Sequence, residues 1–280
     1  MTALSYAVHV APSLPTTVTD LPPDLDRRVW SPISATLIHG ERDAVLVDPV
    51  LTNQQATDLV RWIEATGKNL TTVYVTHAHG DHWLGLGTVL DRFPDARAVA
   101  APNVARGIGE QLHSPSIDSF WRSRFPGQIP DRLVGVQELA GDRFELEGEE
   151  LVVVDLGHTD TDDTTALHVP SIGLVVAGDA AYNDVHLYLT ESDAAGRASW
   201  LAALDTVDGL APRAVVAGHK RERCADDPAI LEHTRRYILD FEAALTRTST
   251  AIELYTEMIT LHPDRINRGA AWGSARAAKG

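Results

Sequence analysis

One short run in the first third of the chain, His77-Ala78-His79-Gly80-Asp81-His82, holds three imidazoles and a carboxylate. In an extended segment residues two apart point the same way, so His77 and His79 can present their rings to one centre while the turn at Gly80 swings Asp81 and His82 toward another. Imidazole is neutral enough near pH 7 to ligate a cation, and the carboxylate adds charge that lets a second dication lie about 3.5–4 Å from the first. One hexapeptide can thus serve two metal ions. Four donors cannot close two coordination shells, so further His or carboxylate groups are needed elsewhere. The chain offers them after three later apolar runs, in Gly157-His158-Thr159, Gly178-Asp179 and Gly218-His219. Each preceding glycine permits a tight turn and a close backbone approach, which delivers the next side chain to the rim of a sheet. Cys224 is the only cysteine. The site must therefore use His and carboxylates rather than thiolates, and no intrachain disulfide can form. The other histidines, His9, His39, His113, His168, His186, His233 and His262, stand alone and read as surface or hydrogen-bonded residues.

These donors need strand ends to hold them, and hydrophobic periodicity supplies the strands. Ser5–Ala11 reads as an edge strand, followed by a Pro-rich connector through Pro12, Pro15, Pro22 and Pro23. Ile33–His39 and Asp43–Val47 form a hairpin through Gly40–Glu41 that stops at Asp48–Pro49. Thr52 and Gln55 make a capping box for a helix whose apolar stripe is Ala56, Leu59, Val60 and Ile63 and whose end is Gly67. Thr72–Thr76 is a short β-rich run that leads into the histidine block. A helix near Leu84–Arg92, a strand at Ala98–Ala101 and a helix at Asn103–Leu112 follow. Ser114–Pro130 lacks clear periodicity and reads as a long loop with exposed aromatics, the kind of segment that covers a site. Beyond it the pattern predicts strands at Arg132–Leu139, Glu150–Leu156, Thr164–Val169, Gly173–Ala177 and Arg213–Ala217, with a helix from about Asp193 to Val207 between the last two. Two late helices start at Asp227–Pro228 and at the Thr250/Glu253 capping box. The strand–helix order thus appears twice, and residues 1–262 read as one domain of two α/β halves meeting near residue 130. Residues 263–280, Ala/Gly-rich and basic, read as a mobile tail.

Composition narrows the function classes. With 44% hydrophobic and 22% charged residues the chain should bury a core of ordinary enzyme size. The net charge of −15, from 39 acidic against 24 basic residues, lacks the basic footprint that phosphate backbones require, so no nucleic-acid partner is expected. The first 26 residues hold no Lys or Arg, and no apolar run is long enough to span a bilayer. Together with the single cysteine this leads to the expectation of a cytoplasmic protein acting on a small molecule. The apolar faces of the two late helices between Asp227 and Leu261 suggest a site cover or a homodimer contact.

In order and spacing, Asp48, Thr76–His82, His158, Asp179 and His219 resemble the metallo-β-lactamase superfamily, whose pattern is an Asp after an early strand, a Thr-His-x-His-x-Asp-His block, then His, Asp and His at later strand ends. The likeness spans roughly Ile33 to His219. It implies an α/β fold, the four-layer αβ/βα metallo-β-lactamase sandwich, with two divalent metal ions, zinc by expectation, at the rim where the halves meet. By the same resemblance His77, His79 and His158 hold one ion, Asp81, His82 and His219 the other, Asp179 bridges, and Asp48 orients the loop. The block departs from the family at Trp83-Leu84-Gly85, where two glycines usually follow the variable residue, a change that bears on loop packing.

The resemblance implies hydrolysis. Two dications sharing one water supply hydroxide between them near neutral pH for attack on a lactone, ester or thioester carbonyl, with Asp81 or Asp179 relaying the proton. Asp179 stands where true β-lactamases of this fold carry Cys or Ser, which disfavours β-lactamase-type amide hydrolysis. The ligand pattern is closer to glyoxalase-II-like thioesterases and acyl-homoserine-lactone lactonases. Tyr182 sits three residues after Asp179, where the lactonases place a tyrosine that contacts the substrate carbonyl, and it reads equally as a packed aromatic. Phe120, Trp121 and Trp83 are candidates for an apolar acyl pocket. No basic pocket for glutathione is identifiable in the sequence. The rival of a different class is a mono-iron oxidoreductase resembling persulfide dioxygenases.

Overall fold

The computed structural model describes residues 4–280. The first half comprises β1 (Ser5–Ala11), the short β2 (Leu14–Pro15) and β3 (Val29–Trp30), β4 (Ile33–His39), β5 (Asp43–Val47), α1 (Asn53–Ala65), β6 (Asn69–Val75), α2 (Leu86–Arg92), β7 (Arg97–Ala100), α3 (Pro102–Leu112) and β8 (Gln137–Glu138). The second comprises β9 (Arg143–Leu146), β10 (Glu149–Gly157), β11 (Thr164–Val169), β12 (Leu174–Asn183), α4 (Ala194–Gly209), β13 (Ala214–Lys220), α5 (Ile230–Arg247), α6 (Ala251–Leu261) and α7 (Arg268–Lys279). The strands form a six-stranded sheet in the order β1-β4-β5-β6-β7-β8 and a five-stranded sheet in the order β13-β12-β11-β10-β9, with β2 and β3 paired apart from both.

Strand side chains alternate between faces, and here each face has its own core. Along β5, Ala44 and Leu46 pack under α1, whereas Val45 and Val47 point between the sheets. Along β12, Val175 and Ala177 pack under α4 and α5, while Leu174 and Val176 meet the first sheet. Strands buried on both faces read as continuous apolar runs, and the outcome is helices, sheet, sheet, helices: the four-layer αβ/βα sandwich. Pairing is parallel for β5-β6, β6-β7 and β12-β13. Parallel neighbours end at the same rim, which brings Asp48, the histidine block and His219 to one edge of the sandwich.

Three segments differ from the sequence reading. Residues 263–280 are not a tail: α7 buries Ala271, Trp272 and Ala275, and Trp272 Nε1 donates to Asp20 Oδ1 at 3.1 Å. Burial of that stripe overrides the poor helix propensity of Gly269 and Gly273. The segment expected to be a loop with exposed aromatics contains a π-helical turn, Ile117–Arg122, and Ile117, Trp121 and Phe125 recur every fourth residue and are buried. The strand expected over 132–139 shrinks to β8, and β9 was not anticipated. The two late helices that suggested a site cover or a homodimer contact, α5 and α6, bury Ile230, Leu231, Ile238, Phe241, Leu254 and Met258 in the core that also holds α7, while Leu239, Ile252 and Leu261 remain exposed. Among the described residues no helix is long and apolar enough to cross a membrane.

Candidate metal centre

The histidine block begins where β6 ends, and Asp48, at the end of β5, fastens it. Asp48 Oδ1 accepts from Thr76 N at 2.9 Å, and Oδ2 accepts from Thr76 Oγ1 at 2.8 Å and from His82 Nδ1 at 3.0 Å. With both oxygens occupied, Asp48 orients the loop. The outer nitrogens of the neighbouring histidines are engaged in the same way. His77 Nδ1 meets Thr76 Oγ1 at 2.9 Å, His79 Nε2 meets Glu191 Oε1 at 3.2 Å, and His219 Nδ1 donates to the Pro32 carbonyl at 2.7 Å. Such bonds fix ring orientation and leave one defined nitrogen of each ring facing inward: Nε2 of His77, His82 and His219, and Nδ1 of His79.

Carboxylates meet these nitrogens. Asp179 approaches His82 Nε2 at 3.3 Å and His219 Nε2 at 3.1 Å, and Asp81 Oδ2 lies 3.4 Å from His219 Nε2. Asp179 sits where β12 loses its register against β13. Glycine is required on both flanks of this contact. Gly178 has φ +52° with Thr76 Oγ1 only 2.6 Å from where a Cβ would stand, and a Cβ at Gly218 would overlap Asp179 Oδ1.

The structure does not bring His158 into this cluster. Its Nδ1 lies 2.6 Å from Asp162 Oδ1 and its Nε2 3.0 Å from Ser192 Oγ, so both ring nitrogens are engaged away from the centre. Asp160 occupies the place instead. It is fully buried, its Oδ1 accepts from Thr159 Oγ1 at 2.9 Å, and its Oδ2 lies 2.7 Å from His79 Nδ1 and 3.7 Å from His77 Nε2. The donor atoms fall into three groups, His77, His79, Asp160 and Asp179; Asp81, His82 and His219; and Asp48, His77 and His82, the last using an Asp48 whose oxygens are already bonded to Thr76 and the outer nitrogen of His82.

The donor set fits cations. Nε2 of His77 and of His82, Oδ2 of Asp160 and Oδ1 of Asp179 are buried with no well-directed hydrogen bond among the described residues, although Asp160 Oδ2 lies 2.7 Å from His79 Nδ1 and Asp179 Oδ1 3.3 Å from His82 Nε2. Unpartnered buried polar atoms are costly, and convergent ones are what a metal satisfies. Electrostatics agree. Burial alone would lower the His219 pKa, but the Asp179 and Asp81 carboxylates outweigh it and push it up to about 10. His82 is likewise raised against burial by Asp179, Asp81 and Asp48. This pocket of negative charge demands positive charge, as protons or as metal ions.

Further side chains hold the ligands. Tyr182, placed by β12 and almost wholly buried, donates its hydroxyl to Asp179 Oδ2 at 2.8 Å. Burial and the Asp179 charge raise its pKa well above the usual value, so it stays a neutral donor. Trp30 Nε1 donates to Asp81 Oδ2 at 2.8 Å, and Glu191 accepts from Thr161 Oγ1 at 2.8 Å as well as from the His79 ring. Sequence reasoning missed Asp160, Trp30 and Glu191. The donor-rich run His158–Asp163 signalled the first, and nothing local signalled the others.

Of the donors, His79, Asp81, Asp179 and His219 line a cavity of about 440 Å³, which Trp30, Tyr182 and Glu191 also border. Phe120 and Trp121 line it, in keeping with the sequence reading, but Trp83 does not: it is fully buried and donates to the Ala78 carbonyl at 3.0 Å. That indole fills the turn in which the sequence departs from the usual two glycines.

The profile described as the metallo-beta-lactamase superfamily matches residues 28–219, more than half of the chain. The chain belongs to the metallo-beta-lactamase superfamily. Among solved structures of this fold, a metallo-beta-lactamase family protein from Thermus thermophilus superposes with a TM-score of 0.63 at 21% identity, covering 97% of this chain and 91% of that one. A metallo-beta-lactamase from Pontibacter korlensis gives 0.61 at 18% identity, covering 86% and 100%. Among curated proteins, a hydroxyacylglutathione hydrolase of Synechococcus sp. is 33% identical over 120 residues, 42% of this chain and 36% of that protein. Another, from Actinobacillus pleuropneumoniae serotype 5b, is 28% identical over 89 residues, 32% and 34%. The chain thus spans about a third of the length of the curated relatives it matches. Superfamily membership and the donor groups support a metal-dependent hydrolase.

Proposed function

We propose that this superfamily member is a dinuclear hydrolase of esters, lactones or thioesters, with His77, His79, Asp160 and Asp179 around one divalent ion and Asp81, His82 and His219, with Asp179 shared, around the other. The observation that carries the reading is the convergence of seven donors, four of them with a buried atom that makes no well-directed hydrogen bond, beside a cavity large enough for a small molecule that His79, Asp81, Asp179 and His219 line. Such ions, zinc by the His and carboxylate chemistry of the donors, supply Lewis acidity and lower the pKa of water enough to give a nucleophile near neutral pH. The chain's own residues do the rest. Glu191 holds the His79 ring, and Asp48 holds the His82 ring and the turn before it. Trp30 orients Asp81 and Tyr182 orients Asp179, and both carboxylates border the cavity, where they can pass a proton to the leaving group. Tyr182 lines the cavity too, but its one hydroxyl proton is donated to Asp179 Oδ2, so its part is to orient that carboxylate. The partial likeness to hydroxyacylglutathione hydrolases favours a thioester or ester over an amide.

One observation favours a second reading. His77, His79 and Asp160 form a two-histidine, one-carboxylate set, the donor combination of non-haem iron oxygenases. Elemental analysis of protein purified without added metal, beside hydrolysis of a panel of lactones, aryl esters and thioesters, decides between them. Two zinc equivalents per chain, with turnover abolished in His77→Ala, is the expected result. One iron per chain with no hydrolysis of the panel would replace the hydrolase by the oxidoreductase.

A further inference from the structure

The wall of the cavity also contains two arginines, Arg28 and Arg124, that form no ion pair among the described residues. Arg28 precedes β3, and its Nη1 and Nη2 donate only to backbone, to the Asp20 carbonyl at 3.2 Å and the Gly269 carbonyl at 2.8 Å. Arg124 follows the π-helical turn, donates to the Phe120 carbonyl at 3.0 Å, and lies over the Phe120 ring with its guanidinium carbon 3.5 Å from the centroid. Both are half-buried. Of the 21 arginines, twelve form ion pairs among the described residues and nine do not, and what sets Arg28 and Arg124 apart from the other unpaired ones is that they line this cavity. Fourteen of the ion pairs among the described residues use arginine, and neither of these does.

The acidic groups nearby are committed elsewhere. Asp20 Oδ1 accepts from Trp272, Asp20 Oδ2 faces Arg276 at 3.9 Å, and Glu191 is held by His79, Thr161 and Tyr188. Burial lowers the pKa of both guanidiniums; the Asp20 carboxylate offsets part of this at Arg28, and the Arg28 charge lowers that of Arg124 further, so the two cations repel one another. The first turn of α7 adds to this. Gly269, Ala270 and Gly273 line the same wall, and Asn267 gives the helix no side-chain cap, leaving the positive end of its dipole at the cavity.

We propose that Arg28 and Arg124 form an anion subsite, and that the substrate carries a carboxylate or phosphate group at the end remote from its reacting carbonyl. The inference rests on the hydrolase reading and sharpens it. A guanidinium fork matches either oxyanion, and the Trp30 and Phe120 rings offer an apolar wall for the body of the ligand. The −15 of the whole chain, which set aside polyanions, does not conflict with one local pair of cations that binds a single anionic group. Because Arg28 and Arg124 line the same cavity as Asp81 and Asp179, a ligand anchored by the guanidiniums shares that cavity with the metal-ligating carboxylates.

The test compares two esters of one leaving group on metal-loaded protein, 4-nitrophenyl acetate and the 4-nitrophenyl monoester of glutarate. Wild type should favour the anionic ester in kcat/KM by about ten- to a hundredfold, the scale of one or two charge-assisted hydrogen bonds. The preference should fall about tenfold in Arg124→Gln and in Arg28→Lys, and should weaken with added salt. A variant that merely loosened the fold would slow both esters together and leave their ratio intact, which overturns the proposal. Equal use of both esters by the wild type overturns it too. Where neither ester is turned over, the hydrolase reading is the one that suffers, and calorimetric titration with glutarate and with methyl phosphate judges the subsite. Binding of either probe that weakens about tenfold in Arg124→Gln supports it and identifies which oxyanion is preferred; the same affinity in wild type and variant, or no binding of either, sinks it.

Discussion

Two turns at the rim of the sandwich deliver donors to the metal centre, and they do so by different means. In Thr76–His82 the donors are placed by partners close at hand: Asp48 grips two backbone-proximal groups of Thr76 and the outer nitrogen of His82. In Gly157–Asp163 the backbone leaves β10 through a bulge, and the segment presents His158, Asp160, Asp162 and Asp163 within six residues. Only Asp160 joins the donor groups, because Thr159 Oγ1 holds its Oδ1 while Asp162 and Ser192 draw His158 outward. A donor's identity is therefore settled by its supports. Both turns borrow from the approach to α4, Glu191 at His79 and Ser192 at His158, and the first alone is also fastened from the adjoining strand, by Asp48.

Substitutions in the second turn should have the largest effect. Asp160→Asn should reduce metal content from two equivalents toward one, while His158→Gln should retain both. Elemental analysis of the dialysed variants, with zinc affinity from chelator competition, checks it; retention of two ions by the Asn variant and loss of one by the Gln variant would restore His158 as the ligand. The effect on affinity should exceed the about 10–100-fold that loss of an outer partner brings.

Next in size is Asp48. Asp48→Asn keeps the shape but removes the charge that accepts from Thr76 N, Thr76 Oγ1 and His82 Nδ1. Because the network is buried, its disruption should cost about 3 kcal/mol of stability and about 10–100-fold in zinc affinity together. Chemical denaturation of the metal-free variant separates the two effects. An unchanged midpoint with weakened zinc binding would mean that Asp48 tunes the ligand without supporting the turn. His158→Gln should have a smaller effect, about 1–2 kcal/mol for the bonds to Asp162 and Ser192, read as a shift of a few degrees in Tm.

Much of this was legible in the sequence, and the divisions are physical. The bounds of β1, β4 and β5 and the capping box of α1 follow from patterns that are local: alternation, a turn, and a side chain three residues from the group it caps. The histidine block was legible for the same reason. Asp160 was not, since four donors in six residues do not reveal which one the fold turns inward. Trp30 and Glu191 reach the centre from a Pro-rich connector and from the segment before α4, and only tertiary placement gives them partners. The α7 helix was hidden by its glycines, although Ala271, Trp272 and Ala275 already formed a narrow apolar stripe.

A third turn sharpens the comparison further, because it uses a carboxylate as Asp48 does but at the surface. Glu147, between β9 and β10, reaches across to the β4–β5 hairpin of the other sheet and accepts from the backbone N–H of Glu41 at 2.9 Å, Arg42 at 2.7 Å and Asp43 at 2.8 Å. These three bonds, to Asp43 first and then Arg42 and Glu41, pull its pKa down to about 2 from an ordinary 4.5. Since the folded value is the lower one, folding favours the carboxylate: its stabilisation is fully present above pH 4.5 and is lost as the pH falls toward and through 2. Water screens this exposed group, so the effect should be the smallest of the set. Denaturant midpoints of metal-free wild type and Glu147→Gln should differ at pH 7 and converge as the pH drops to about 3 and below, with acid effects common to both proteins cancelling in the difference. A difference that persists unchanged to about pH 2 would mean that Glu147 joins the two sheets through its shape and hydrogen-bonding capacity, and that the charge which makes Asp48 effective in the interior contributes nothing at the surface.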